Sequence, residues 1–206
     1  MEFIPEAVDD VIGRKCKSLV FKYLSIRTIM SQVKAITIRK TVVLVIAQFA
    51  ALVGLATMAP LLNQQAVTGP IVNATLFIAV MFLDIQSAVL VGLIPSTIAL
   101  SMGLLPVVLA PMVPFIMVGN TILVVAFSHL RKKNYWLGIV SASVLKYVFL
   151  FSTSTIVMDL LLKKEIAAKV AVIMSWPQLL TALAGGVLAY GFCRVTYSRL
   201  NNDGEM

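Results

Sequence analysis

Two polar side chains stand inside otherwise apolar stretches, Lys146 in WLGIVSASVLKYVFLF and Asn120 in PFIMVGNTILVV. Hydrocarbon offers such groups no partner, so both must face protein, water or a ligand. An ammonium beside an amide can hold an anionic group such as a carboxylate or a phosphate. The same pair can instead be structural, with Lys146 tied to backbone carbonyls or to Asn120. The residues alone leave both readings open.

A second polar set gathers at the ends of the apolar stretches opposite Arg131, Lys132 and Lys133. It comprises Asn63, Gln64, Gln65 and Thr68, then Asn73 and Thr75, then Asp159, and finally Trp176 and Gln178. Pro111 and Pro114 are expected to weaken the helix that carries PFIMVGN and to free backbone carbonyls there. Amides, an aromatic ring and a few charges around a concavity suit a small polar molecule. The plainer alternative makes the Asn63–Thr68 stretch a solvated turn and Trp176 an interfacial belt residue.

Other chemistries are poorly supplied. There is no G-x-x-x-x-G-K-[ST] phosphate loop, no G-x-S-x-G, no H-E-x-x-H and no pair of deep carboxylates. The single histidine, His129, sits beside Arg131, Lys132 and Lys133, and reads as interfacial. Cys16 and Cys193 lack metal or redox spacing. No catalytic residue, metal or cofactor is expected, and the chain does not read as an enzyme.

The elements that position these residues follow from composition. The chain has 206 residues, 60% hydrophobic and 13% charged, with a mean hydropathy of +0.97. Runs of ~20 apolar residues match a ~30 Å hydrocarbon core. An all-α integral membrane protein is expected, multi-pass in a bacterial cytoplasmic membrane. The net charge is +8, and Arg14, Lys15, Lys17, Lys22, Arg27, Lys34, Arg39 and Lys40 all precede the first apolar run. Such clustering fits an N-terminus facing anionic lipid better than nucleic-acid binding. The opening MEFIPEAVDD does not read as a cleavable signal peptide.

Val42 to Ala59 reads as the first span, ended by Pro60 and followed by a polar loop. Later spans are expected over Val107–Phe127, Trp136–Leu162 and Trp176–Phe192. The stretch from Ile71 to Leu104 is ambiguous. As one helix it would run about 50 Å and bury Asp84 near the bilayer middle, at ~2.5–3.5 kcal/mol. It would also put Arg131, Lys132 and Lys133 outside, against the positive-inside rule. Two helices, Ile71–Leu83 and Ser87–Leu104 with Asp84 at the turn, remove both objections and leave only Lys163, Lys164 and Lys169, accompanied by Glu165, outside. The expectation is therefore six transmembrane helices with both termini cytoplasmic. Residues 1–40 form a basic segment, 41–195 the membrane domain and 196–206 a cytoplasmic tail. Val8, Ile12, Leu19, Tyr23, Ile26, Met30 and Val33 recur at mostly helical intervals, so the N-terminal segment reads as an amphipathic interfacial helix on the lipid bilayer. A partner-docking helix is its alternative.

Small residues mark three candidate packing stripes: Ala47 and Ala51 (with Ala50 and Gly54), then Ala88, Gly92 and Ser96, then Ala182 and Gly186. Such stripes allow close helix approach, and internal packing is the plainer use of each.

Four segments together resemble the substrate-binding S component of energy-coupling factor (ECF) transporters. AQFAALVGLA resembles the family's AxxxA first-helix stripe, and the Asp84 turn with SAVLVGLIPS its helix 2–3 junction. PMVPFIMVGN resembles its P-F-x-M-x-G segment, and WPQLLTALAGGVLAYGF its sixth helix. The likeness covers roughly residues 42–195. It implies a subunit that captures a vitamin or related small metabolite outside, in a pocket formed by the first loop and helices four to six. Asn63, Gln65, Asn73, Asn120, Lys146, Asp159, Trp176 and Gln178 are the corresponding candidates here. It also implies a transmembrane coupling subunit that docks on Ala47 and Ala51, and two cytosolic ATPase subunits. The metal-importing members begin Met-x-His, which MEF lacks. The NQQAVTGPIVN loop matches no substrate subgroup, so the metabolite stays open. The alternatives are a stand-alone small transporter or a scaffold subunit of another complex, and behind them a membrane enzyme. Against autonomous transport, residues 42–104 and 107–192 show no convincing self-similarity.

Overall fold

The computed structural model describes residues 41–62, 64–103, 107–161, 171–172 and 174–203, and every regular element among them is helical. The chain divides into two compact units, Met1–Ile46 and Ala47–Met206. In the first, residues 41–46 are helical and exposed. The amphipathic helix expected over residues 1–40 lies outside the described residues, as do Cys16 and the basic stretch at Lys163, Lys164 and Lys169.

The second unit opens with α1 (residues 47–58), which tightens into a 3-10 turn, Ala59–Leu62, at Pro60. The polar loop expected to follow is much shorter than the sequence suggests. Helix α2 (Gln65–Phe82) starts before it should have ended, and carries Pro70 within its length. Pro70 is the sixth residue of α2, past the four N–H groups without an intrahelical partner, so its ring removes one i→i−4 bond and the helix continues through it. The Thr68 hydroxyl donates to the Ala59 carbonyl at 3.0 Å, tying the start of α2 to the turn before it.

The chain breaks where the charge argument requires. Helix α2 ends at Phe82 and α3 (Ile85–Ser101) begins at Ile85, with Asp84 extended at the N-cap position. The Asp84 carboxylate accepts from the Ser87 backbone N–H at 3.1 Å and from the Ser87 hydroxyl at 2.6 Å. Those two bonds, the hydroxyl's first, hold its carboxyl below the usual carboxylate range. The cap therefore contributes above that range and is lost as pH falls through the lowered value.

A 3-10 segment, Val107–Met112, leads into α4 (Val113–Leu130). Here too the sequence expectation needs correcting. Pro111 lies in the 3-10 segment and Pro114 in the first turn of α4, where a missing N–H matters least, so the prolines start this helix and do not weaken it. Arg131, Lys132 and Lys133 form a tight turn into α5 (Tyr135–Leu161). The Asn134 side chain caps α5, accepting from the Trp136 N–H at 2.9 Å. The last helix, α6 (Trp176–Asp203), continues well past Phe192, so the expected tail begins as helix.

Among the described residues, four helices can cross a membrane by length and composition: Thr41–Leu62, Ala110–Leu130, Tyr135–Val157 and Trp176–Thr196. Ala66–Phe82 and Ile85–Ser101 are apolar but shorter. Large apolar side chains lie exposed along these helices, among them Leu145, Val148, Val187 and Leu188, which suits a lipid-facing surface.

Packing centres on α2 against α6, α4 against α5 and α3 against α4. Phe77 and Phe127 meet edge to face at 4.7 Å in the core. Because lipid is as apolar as leucine, close approach at small residues must hold helices together. Two of the three stripes do this. Ala88 is fully buried, and a Cβ on Gly92 would lie 3.2 Å from the Cβ of Asn120. Ala182 is fully buried, and a Cβ on Gly186 would meet Ile139 at 2.5 Å. The closest contact with backbone is at Gly185, where a Cβ would lie 2.7 Å from the Ala74 nitrogen and from the Asn73 Cβ.

Gly185→Ala should therefore destabilise the protein, because backbone in α2 cannot yield. Gly191→Ala on the same helix meets nothing within 4 Å and should gain about 1 kcal/mol of helix propensity. Thermal unfolding in detergent, with the first midpoint falling and the second holding or rising, checks the pair.

Candidate functional site

Lys146 is the centre of the buried polar structure. It projects from the middle of α5 and is 3% exposed. Its Nζ donates to Asn73 Oδ1 at 2.6 Å and to Asn120 Oδ1 at 2.8 Å. Both asparagines are buried, at 2% and 3% exposure. Their amide nitrogens are used as well: Asn73 Nδ2 donates to the Gly69 carbonyl at 2.9 Å and Asn120 Nδ2 to the Gly92 carbonyl at 3.0 Å. One lysine thus links α5 to α2 and α4, and Asn120 extends the link to α3.

Glycines make room for both amides. Gly185 backs Asn73 and Gly92 backs Asn120, each at a distance that leaves no space for a side chain without displacement. The amide positions are consequently set by helix approach as well as by hydrogen bonding.

The magnitudes suit a bare ammonium that needs help. A lysine at the membrane centre costs ~2.5–3.5 kcal/mol on insertion scales. A hydrogen bond to a charged group returns about 1.5–3 kcal/mol, so two of them are of the right size to hold it. They satisfy the ammonium's geometry without neutralising its charge. Among the described side chains Asp84 is the one carboxylate, and it lies roughly 16 Å along α2 from Asn73.

Lys146, Asn73 and Asn120 form the inner pole of a cavity of about 140 Å³. Its walls come from the C-terminal end of α1 and its turn (Ala56, Pro60), the N-terminal half of α2 (Thr68, Val72), and the C-terminal half of α3 (Pro95, Ser96, Ala99). The N-terminal half of α4 (Val113, Ile116) and the start of α6 (Gln178, preceded by Met174) complete them. These are one set of helix ends. The Asp84 turn, the Arg131–Lys133 turn and Arg194 belong to the other set.

Of the eight sequence candidates, Asn73, Asn120, Lys146 and Gln178 come together at this cavity. Trp176 does not: it is 63% exposed and borders a shallow apolar groove with Pro70, Val172 and Leu180. Asn63 and the side chains of Gln65 and Asp159 lie outside the described residues. Asp159 is roughly 20 Å of helix rise beyond Lys146. Thr75, expected in the polar set, is buried and donates to its own helix at the Ile71 carbonyl.

The sequence did not pair Asn73 with Lys146, 73 residues apart. It placed Asn73 at the mouth of a span, whereas α2 begins earlier and carries it deep. The available signal was Gly69, four residues before Asn73 and the acceptor of its amide. Ser143 Oγ is another buried atom that sequence reasoning overlooked, and it has no hydrogen-bond partner among the described residues.

The fold and site together define an all-helical bundle, with helices apolar enough to cross a membrane, that carries a lysine–amide pocket toward one set of helix ends. Compared with known proteins, the chain matches no family model, no curated protein and no solved structure.

Removing the ammonium alone should be worse than removing the whole cluster. Lys146→Met strands two buried carbonyl oxygens at about 1–3 kcal/mol each. The triple variant Lys146→Met, Asn73→Leu, Asn120→Leu leaves none of these side-chain polar groups, and should unfold at a higher temperature than Lys146→Met. A triple variant that unfolds lower would contradict this account.

Proposed function

We propose that this chain is the substrate-binding membrane subunit of an ECF-type importer, capturing a small metabolite outside the cell for ATP-driven uptake. The observation that carries the reading is the cavity with its buried lysine–amide pole at the end of the bundle opposite the basic turns. Under the positive-inside rule those turns face the cytoplasm, so the cavity opens outward, where a scarce nutrient would be met.

This reading takes all six apolar helices as crossings of a bacterial cytoplasmic membrane, with both termini inside. Helices of 17 residues, as in Ile85–Ser101, rise about 26 Å, a little under the ~30 Å core. Local thinning or longer neighbours accommodate the difference. The chain hydrolyses nothing itself in this scheme; a transmembrane coupling subunit and two cytosolic ATPase subunits supply the work.

The contrast among the three small-residue stripes supports a partner on α1. The stripes on α3 and α6 are buried inside the bundle. Ala47, Ala50, Ala51 and Gly54 are exposed, and a Cβ on Gly54 would meet nothing within 4 Å. A flat flank left open is what a second helical membrane protein needs for close approach.

Expressed with its native neighbours, the protein should co-purify with a membrane subunit and ATPases. Ala47→Trp with Ala51→Trp should release them while the binding subunit stays folded. Complexes that survive both substitutions would contradict the assignment of that flank.

A further inference from the structure

We infer that the cavity selects an anionic ligand and holds its oxyanion, a carboxylate in the first instance, against the pole formed by Lys146, Asn73 and Asn120. The inference deepens the binding-subunit reading and rests on it.

The hydrogen-bond inventory carries the argument. Both Oδ1 atoms accept from the same ammonium, and each Nδ2 has one N–H engaged by a glycine carbonyl. An ammonium has three N–H groups and a carboxamide two. One N–H remains on Lys146 and one on each amide, so the pole still offers three donors. Its carbonyl acceptors are already engaged by the strongest donor available. Turning either amide over would set an NH₂ against the ammonium and abandon a backbone carbonyl, so the orientation is fixed by its neighbours. A pole of this kind fits an acceptor-rich group and disfavours a donor.

Charge narrows the class further. A neutral carbonyl would satisfy an N–H but leave the positive charge uncompensated, and Asp84, the one carboxylate among the described side chains, is too distant to act as counter-ion. An oxyanion supplies both acceptor atoms and charge, and charge-assisted bonds are roughly twice as strong as neutral ones. Thr68 stands roughly 7.5 Å further out along α2 with its proton given to the Ala59 carbonyl. Its hydroxyl can only accept, so it offers an anion nothing at that point of the rim.

The remaining wall sets size and shape. Val72, Pro95, Ala99, Val113, Ile116 and Met174 present apolar surface. The volume of about 140 Å³ is below the ~300–1,000 Å³ of sites for drug-sized ligands. The expected ligand is a compact molecule with an apolar body and one oxyanion.

The test is thermal unfolding of the full chain in neutral detergent with matched probes: butyrate, its amide butyramide, inorganic phosphate and short-chain phosphatidylglycerol. A ligand that binds only the folded state raises the midpoint in proportion to its affinity. Butyrate should stabilise at concentrations about tenfold or more below those at which butyramide does. Lys146→Met should abolish the difference. Because that variant also strands two amides, Asn120→Asp provides a second arm. It keeps the side chain's shape and exchanges the bond to the Gly92 carbonyl for an ion pair with Lys146, so the ion pair should hold it folded and it should lose the response to butyrate. Stabilisation by phosphate in place of butyrate upholds the oxyanion pole and identifies phosphate as its source. Stabilisation by phosphatidylglycerol alone would assign the pole to a lipid headgroup and overturn a metabolite ligand. Equal responses to butyrate and butyramide, no response to any oxyanion, or a full response in Asn120→Asp would each overturn the inference. The co-purification experiment would be untouched by such a failure, so this inference and the importer reading fall separately.

Discussion

An ammonium group placed in the middle of an apolar helix cannot be left to itself, and the arrangement around Lys146 follows from that constraint. Its depth on α5 prevents the side chain from reaching water along the helix surface, so partners must come from neighbouring helices. Two amide oxygens from α2 and α4 provide them. Those amides then need acceptors for their own N–H groups and find them at the carbonyls of Gly69 and Gly92. A single buried charge therefore specifies the relative positions of four helices, in a medium where the hydrophobic effect gives helices little reason to choose one neighbour over another.

The glycines complete this logic. An asparagine is a bulky occupant for a helix–helix seam, and each here lies where the opposing residue has no side chain. Gly185 opposite Asn73 and Gly92 opposite Asn120 bring backbones close enough for the amides to reach the lysine. Polar specificity and close packing are thus one feature seen from two sides. The cavity follows from it: the helices converge at the lysine and separate toward the end marked by Pro60, Thr68 and Pro95, leaving space above a polar floor.

Much of this was legible in the sequence where a strong physical penalty was involved. The break at Asp84 was readable because a carboxylate in mid-membrane and a reversed charge bias both opposed a continuous helix; the cap that Asp84 makes with Ser87 emerged only from the structure. Lys146 and Asn120 announced themselves as polar groups in apolar runs. The errors came where only weak local signals operate. The loop after Pro60 looked long because Asn, Gln, Thr, Gly and Pro cluster there, yet polar residues are tolerated in a first helical turn and α2 runs on through Pro70 with one backbone bond missing. Pro111 and Pro114 looked like helix breakers and are a helix entrance. The role of Asn73 depended on that misplaced boundary: at a mouth it would be a rim residue, and with the helix beginning six residues earlier, at Gln65 and not Ile71, it is part of the floor. Trp176, read as a pocket aromatic, faces outward because the register of α6 turns Gln178 inward. No periodicity argument separates those two alternatives two positions apart at a helix start.

The central claim is that Lys146, held by two amides, is a ligand-binding group and not merely a tie between helices. Native mass spectrometry of the gently purified protein addresses it most directly. Wild type should retain a small molecule of defined mass that dissociates on activation as an anion, and Asn120→Asp, with its own carboxylate beside the lysine, should be recovered empty. The same adduct on both proteins would contradict the account, as would a bare wild-type protein recovered from cells that take up and accumulate the metabolite.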